Sequence, residues 1–170
     1  PRVVPESEGI SSEKLTQMLR ELAAARHTDM HHLLVLRNGQ VICECNFAPY
    51  RSGIWHATYS MCKSITGMAV GFLISEGKLS LDENVYDIFE KRNGLLQKIL
   101  RPNLTVEHLL TMKSGVQFNE MGVVSGNDWV DSFLNAPVKG TPGEAFEYNS
   151  MNTYLLSAII QERTGMKMVD

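Results

Sequence analysis

The sequence has 170 residues, of which 44% are hydrophobic and 21% charged. These proportions are typical of an ordinary globular domain and exclude a disordered or collagen-like chain. Sixteen Lys and Arg against nineteen Asp and Glu give a net charge of −3. No basic block is present, so nucleic acid is not an expected partner. The longest apolar run, Met68–Ile74, is far shorter than the roughly 20 residues that span a bilayer, and no leader opens the chain. We therefore expect a soluble protein without a membrane span.

The first elements predicted along the chain are a helix and a β-hairpin. Apolar residues recur at helical spacing after Ser11 and Ser12, which predicts a capped helix to about Ala25. The dipeptide Asn38-Gly39 separates an apolar run from an alternating one, which predicts a hairpin over residues 33–47 with one buried face.

The second part of the chain is predominantly helical. One helix is predicted from Ser60 to a stop at Gly77. Its internal Gly67 and Gly71 are tolerable if another backbone approaches closely there, so we expect this helix to be central. Shorter helices are predicted around residues 85–90, 106–113 (with Thr105 as cap) and 127–134, and a final one over 152–164 before Gly165.

The cysteines are odd in number: Cys43, Cys45 and Cys62. In a chain long enough to bury a core, this count favours reduced thiols over a disulfide scaffold. Reduced thiols lean only weakly toward the cytoplasm, so the compartment stays open. Cys43 and Cys45 share one strand face, where packing is favoured over metal ligation. The five histidines lack the spacing of a zinc hydrolase: His27, His31, His32, His56 and His108.

The predicted fold class is α/β, with an antiparallel sheet that is incomplete in this chain. A lone two-stranded ribbon is marginal in water and needs further strands or a covering helix. No further strong strand signal occurs before Asp170. We therefore expect the missing strands to lie downstream, in the C-terminal part of the same polypeptide.

A serine three residues before a lysine occurs three times, at Ser11, Ser60 and Ser75. This spacing places both side chains on one helical face, so that the amine can hold the hydroxyl proton. Ser11 is expected to cap a helix, and Ser75 is separated from its lysine by the Gly77 break. Ser60 instead opens a helix with apolar turns, where its backbone N–H can face an oxyanion and burial can lower the pKa of Lys63. The alternative for this pair is a capping serine beside an extended lysine.

Four segments, in this order and spacing, resemble the serine β-lactamase-like family of class C β-lactamases, DD-peptidases and related esterases. They are YSMCKSITG over 59–67, EGKLSLD over 76–82, HLLTMKSG over 108–115 and PGEAFEYNS over 142–150. The resemblance implies a β-lactamase/transpeptidase-like fold, in which the chain is the N-terminal part of one domain. Residues 1–58 would supply the helix and hairpin of the α/β part, and residues 59–170 the helical region.

The resemblance also implies an activity and a set of site residues. Ser60 would be the nucleophile, Lys63 its base and Tyr148 the proton relay, with an acyl-enzyme formed on Ser60 from an ester, amide or β-lactam. No metal or organic cofactor is required. An ordinary tyrosine is a poor base, so Tyr148 needs an ammonium such as Lys63 nearby.

Two departures from the family pattern affect the expected site. Ser150 stands where the family usually has asparagine, which puts a β-lactam preference in doubt, and Asn152 is a candidate to compensate in substrate binding. The late Lys/His-x-Gly motif is absent, since the triplet Lys113-Ser114-Gly115 lies too early and Lys139-Gly140-Thr141 has the wrong order. A missing oxyanion donor commonly costs about 100-fold to 1000-fold in rate, so the isolated chain is expected to be nearly inactive.

Two other interpretations remain open at this stage. A non-catalytic relative would bind penicillin or a peptidoglycan fragment in the same pocket without turnover. Alternatively, the ordered piece has no function by itself, in which case its last helix and its hairpin should expose apolar surface.

Overall fold

The computed structural model describes residues 1–92, 101–118 and 127–170. The chain divides into two compact units, Pro1–Ala57 and Thr58–Asp170. Each unit is described separately below.

The first unit contains the predicted helix and hairpin. A 3-10 turn at Pro5–Glu8 leads into helix α1, Ser12–Ala24, and the Ser11 side chain accepts a hydrogen bond from the Lys14 N–H as its N-cap. Strands β1, His32–Arg37, and β2, Gln40–Asn46, pair antiparallel. Asn38 and Gly39 have φ of 49° and 75°, the left-handed conformation that tight hairpin turns require. The hairpin and its turn are therefore confirmed.

The two faces of β2 differ less in burial than the alternation predicted. Cys43 and Cys45 lie on one face and are half-buried, as free thiols. Ile42, on the opposite face, is the one fully buried residue of β2. The prediction of a single buried face therefore holds only in part, because Ile42 is buried on the face that otherwise carries Glu44 and Asn46.

The second unit is helical in its described parts. A 3-10 turn at Tyr59–Met61 runs into α2, Cys62–Ser75. The elements that follow are α3, Val85–Ile88; α4, Val106–Leu110; α5, Trp129–Asn135; and α6, Ser150–Thr164. The positions of these helices confirm the sequence prediction. Helix α6 begins two residues before the predicted start, because the Asn149 side chain caps it by accepting from the Met151 N–H.

The core of the second unit lies where α2, α4 and α5 contact α6. Its fully enclosed side chains include Val70 of α2, Val106 of α4, and Leu155 and Ile159 of α6. Burying such aliphatic side chains stabilises a fold by about 1.5–3 kcal/mol each. The packing holds the N-terminal ends of α2 and α6 in a fixed relation, and the candidate site lies there.

The expectation for Gly67 and Gly71 is wrong. A Cβ built at either position meets no atom of the described residues within 4 Å, so none of their backbone approaches α2 closely there. Helix α2 buries only Thr66, Val70 and Leu73, while its opposite side carries exposed Ile65, Met68 and Phe72. The two glycines are therefore not explained by close packing within the described residues.

Candidate active site

Ser60 lies in the 3-10 turn that leads directly into α2. Tyr59, just before it, has φ of 44°, a left-handed conformation that costs a residue other than glycine roughly 1–2 kcal/mol. Among the described residues, no group accepts a hydrogen bond from the Ser60 N–H. This N–H lies at the positive end of the helix, where it is available to an incoming anionic oxygen.

Three predicted residues meet at the Ser60 hydroxyl. Lys63 Nζ donates to Ser60 Oγ at 3.0 Å, and the Tyr148 hydroxyl donates to the same atom at 2.7 Å. Lys63 Nζ also lies 5.2 Å from the centroid of the Tyr148 ring. Tyr148 is 88 residues from Ser60 in sequence and directly precedes the cap of α6. The tertiary fold therefore places an ammonium, a phenol and a serine hydroxyl within one hydrogen-bonded group.

This arrangement alters the acidity of Tyr148. Hydrogen bonding with Lys63, then with Ser60, holds the pKa of the Tyr148 phenol below its ordinary value of 10.0. The lysine charge acts in the same direction, because a neighbouring cation favours the phenolate. A tyrosine with a lowered pKa is a better proton acceptor near neutral pH than an unperturbed one.

The structure distinguishes the three serine-lysine spacings. Ser11 caps α1 by accepting from the Lys14 backbone N–H. Ser75 donates to the Phe72 carbonyl, and its partner Lys78 pairs instead with Glu76. Within the described residues, only Ser60 has its hydroxyl bonded to the lysine ammonium of the motif.

The two predicted substrate-binding residues lie in different environments. Ser150 is the first residue of α6, and hydrogen bonding from it contributes to the lowered pKa of Tyr148. Asn152 is completely buried, and its side-chain oxygen accepts from Ser114 Oγ at 2.7 Å. Ser150 therefore belongs to the group around Tyr148, whereas Asn152 lies in the interior of the unit.

Asn149 is a site residue that the sequence analysis did not identify. Its side-chain nitrogen donates to the carbonyls of Val116 and Phe118, both at 3.1 Å, and its oxygen caps α6. An asparagine directly before a helix is a common N-cap signal. That signal was available, but a predicted helix start at residue 152 placed Asn149 outside the helix.

Comparisons with known proteins identify the family and the fold. The family model described as Beta-lactamase matches residues 15–170. Esterase EstB from Burkholderia gladioli is 26% identical over 174 residues, covering 89% of this chain and 44% of that protein. A class C β-lactamase solved in complex with cefoxitin superposes with a TM-score of 0.74 at 18% identity, covering 96% of this chain and 46% of that one. D-amino acid amidase from Ochrobactrum anthropi SV3, solved with L-phenylalanine amide, has a TM-score of 0.56 at 23% identity, covering 80% and 44%.

These matches establish the fold and show what share of each relative the chain spans. The structures show a β-lactamase/transpeptidase-like α/β fold, of which the chain has the antiparallel hairpin and the helical region. The chain spans less than half the length of these relatives. In the parts that the structure describes, every helix is too short or too polar to traverse a bilayer. With a family model matched over more than nine tenths of its length, the chain belongs to the Beta-lactamase family.

Proposed function

We propose that this chain carries Ser60 as the nucleophile of a serine hydrolase that acts through an acyl-enzyme, with Tyr148 and Lys63 together serving as its proton-transfer pair. The observation that carries the proposal is the group at the Ser60 hydroxyl, which accepts from Lys63 Nζ at 3.0 Å and from the Tyr148 hydroxyl at 2.7 Å. Membership of the Beta-lactamase family supports the same reaction class.

The proposed reaction begins with proton removal from Ser60. The Tyr148 phenolate, stabilised by the Lys63 ammonium, takes the hydroxyl proton as Ser60 Oγ forms a bond to the substrate carbonyl carbon. The carbonyl π pair moves to oxygen, and the Ser60 N–H donates to that oxyanion. When the carbonyl re-forms, the bond to the leaving group breaks, and Tyr148 returns the proton to the departing atom. Water then releases the acyl group by the same proton transfers.

An ester is the favoured substrate among the three acyl classes. Esterase EstB is a curated relative whose match covers 89% of this chain. A β-lactam amide would be bound best by a carboxamide, which offers a donor NH₂ and an acceptor oxygen side by side. Ser150 supplies only a hydroxyl, and the carboxamide of Asn152 is buried and bonded to Ser114. Both observations favour an ester over a β-lactam or an amide.

Intact-mass spectrometry with a fluorophosphonate tests the nucleophile without requiring turnover. We expect an adduct on the natural full-length polypeptide, its loss in Ser60→Ala, and its retention in Ser64→Ala, an exposed serine on the same segment. A parallel incubation with a penicillin separates the alternatives, since a penicilloyl adduct that persists without ester turnover would indicate a binding protein. An adduct that survives Ser60→Ala would contradict the proposal.

A further inference from the structure

Tyr148 is positioned by its two chain neighbours. The residue is 50% exposed, so packing alone does not fix its side chain. The Glu147 N–H donates to the Met112 carbonyl at 3.0 Å, and the Asn149 side chain donates to the carbonyls of Val116 and Phe118. All three acceptors lie in residues 108–118, which we call the tyrosine cradle.

Asn149 uses its whole carboxamide in this arrangement. It is 2% exposed, both hydrogen bonds to the cradle leave from its nitrogen, and its oxygen accepts from the Met151 N–H at 2.9 Å. A buried amide with all these partners is costly to replace, because each removed group leaves an unpaired polar atom. Asn149 therefore ties the start of α6 and the backbone next to Tyr148 to the same segment.

His108, the first residue of the cradle, contacts the loop that leads to Tyr148. Its Nδ1 accepts from the Thr105 N–H at 3.3 Å in the capping box of α4, which holds the ring in place. Its Nε2 would lie 2.8 Å from a Cβ at Gly143, and the Gly143 N–H donates to the Lys113 carbonyl at 2.8 Å. The loop that leads to Tyr148 therefore passes over the imidazole at a distance that only glycine permits.

We propose that His108 and Asn149 are positioning residues for Tyr148. The cradle holds the backbone on both sides of the tyrosine, so that its hydroxyl meets Ser60 Oγ at 2.7 Å. Within the part of the chain that the structure describes, neither residue is hydrogen-bonded to Ser60, and both act through the 108–118 and 139–149 segments. The functional part of this proposal rests on the proposed function, whereas the placement of Tyr148 can be tested independently of catalysis.

The first test compares Asn149→Ala with Val85→Ala in the natural full-length polypeptide. Val85 is fully buried in the core of the same unit and lies outside residues 108–118, so its truncation supplies a matched loss of melting temperature without removing a hydrogen bond of the cradle. Titration of tyrosinate by ultraviolet absorbance, as the difference from Tyr148→Phe, reports the pKa of Tyr148. We expect Asn149→Ala to move this pKa up toward 10. The fluorophosphonate labelling rate should also fall about tenfold or more, because the variant loses both side-chain hydrogen bonds to the cradle and the cap of α6. Val85→Ala should leave both values unchanged.

The second test uses the close approach of His108 and Gly143. Gly143→Ala places a methyl group against Nε2 and should raise the Tyr148 pKa and slow labelling. His108→Gln preserves the acceptor that a capping box needs while replacing the rigid ring with a flexible chain. The double variant should recover part of the labelling rate. Recovery is incomplete because φ of 97° at residue 143 remains strained for alanine.

Three results would overturn the positioning role. One is a Tyr148 pKa that stays unchanged in both Asn149→Ala and Gly143→Ala. Another is a labelling rate that falls as much in Val85→Ala as in Asn149→Ala for the same loss of melting temperature. The third is a double variant no better than Gly143→Ala. If the wild type is not labelled at all, the proposed function fails while the tyrosine titration still decides whether the cradle places Tyr148.

Discussion

At the scale of single residues, the Ser60 group makes the acidity of Tyr148 depend on Lys63. In Lys63→Met the main hydrogen bond and the nearby positive charge are lost, so the Tyr148 pKa should rise toward 10. The tyrosinate fraction at neutral pH should then fall, and the acidic limb of the acylation profile, where the phenolate is lost by protonation, should move to higher pH. Titration by ultraviolet absorbance against Tyr148→Phe measures this directly. A pKa that stays low in Lys63→Met would show that another group stabilises the phenolate.

The left-handed backbone of Tyr59 makes a prediction that concerns stability alone. At φ of 44°, Tyr59→Gly should be more stable than Tyr59→Ala by about 1 kcal/mol, because glycine avoids the Cβ clash. At the neighbouring Thr58, with φ of −84°, the order should reverse by about 0.5–1 kcal/mol in favour of alanine. Urea denaturation of the four variants gives both differences. The same order at the two positions would contradict a left-handed Tyr59.

At the scale of elements, the contact of the tyrosine cradle with the 137–147 loop depends on Gly115. A Cβ at Gly115 would lie 2.5 Å from the Lys139 carbonyl oxygen, and the backbone is left-handed with φ of 67°. Gly140 has a similar φ of 71° but open space around it. Both alanine variants should suffer the backbone strain of about 1–2 kcal/mol, and Gly115→Ala a further 1–3 kcal/mol or so from overpacking. Thermal unfolding of the two variants isolates the contact, and equal losses would argue against it.

Helix boundaries could be predicted wherever a residue at the helix end itself supplied the cap or the stop. The Ser11 and Thr105 caps and the Gly165 stop were predictable, because each depends on residues within one turn. The start of α6 was misplaced since Asn149 combines a local cap with two bonds to carbonyls more than 30 residues away. The sequence shows the N-cap role of Asn149 but not its hydrogen bonds to the distant carbonyls.

At the scale of the whole molecule, α2 presents an exposed apolar stripe of Ile65, Met68 and Phe72. Monomeric soluble proteins rarely expose contiguous apolar patches of this kind. We expect the 170-residue chain by itself to self-associate through this stripe, and Phe72→Lys to reduce the association. Ser75→Lys adds the same charge to α2 without removing apolar surface. Sedimentation velocity should show a clear shift toward monomer only for Phe72→Lys, and equal shifts would assign the effect to charge.

The amino-acid sequence was sufficient to locate most of the secondary structure and to indicate the family, and it predicted a set of reactive residues. Hydrophobic periodicity, caps and the Asn38-Gly39 turn act over a few residues, so they can be recognised without the fold. The four motif segments predicted Ser60, Lys63 and Tyr148 as the reactive residues.

The tertiary structure decided which of these residues meet and which are buried. It brought Tyr148 to Ser60 across 88 residues, enclosed Asn152 in the interior and gave Asn149 its contacts. It also exposed the apolar side of α2, where the glycine spacing had predicted a close neighbour. These outcomes depend on packing and hydrogen bonds between distant segments, which no local pattern encodes.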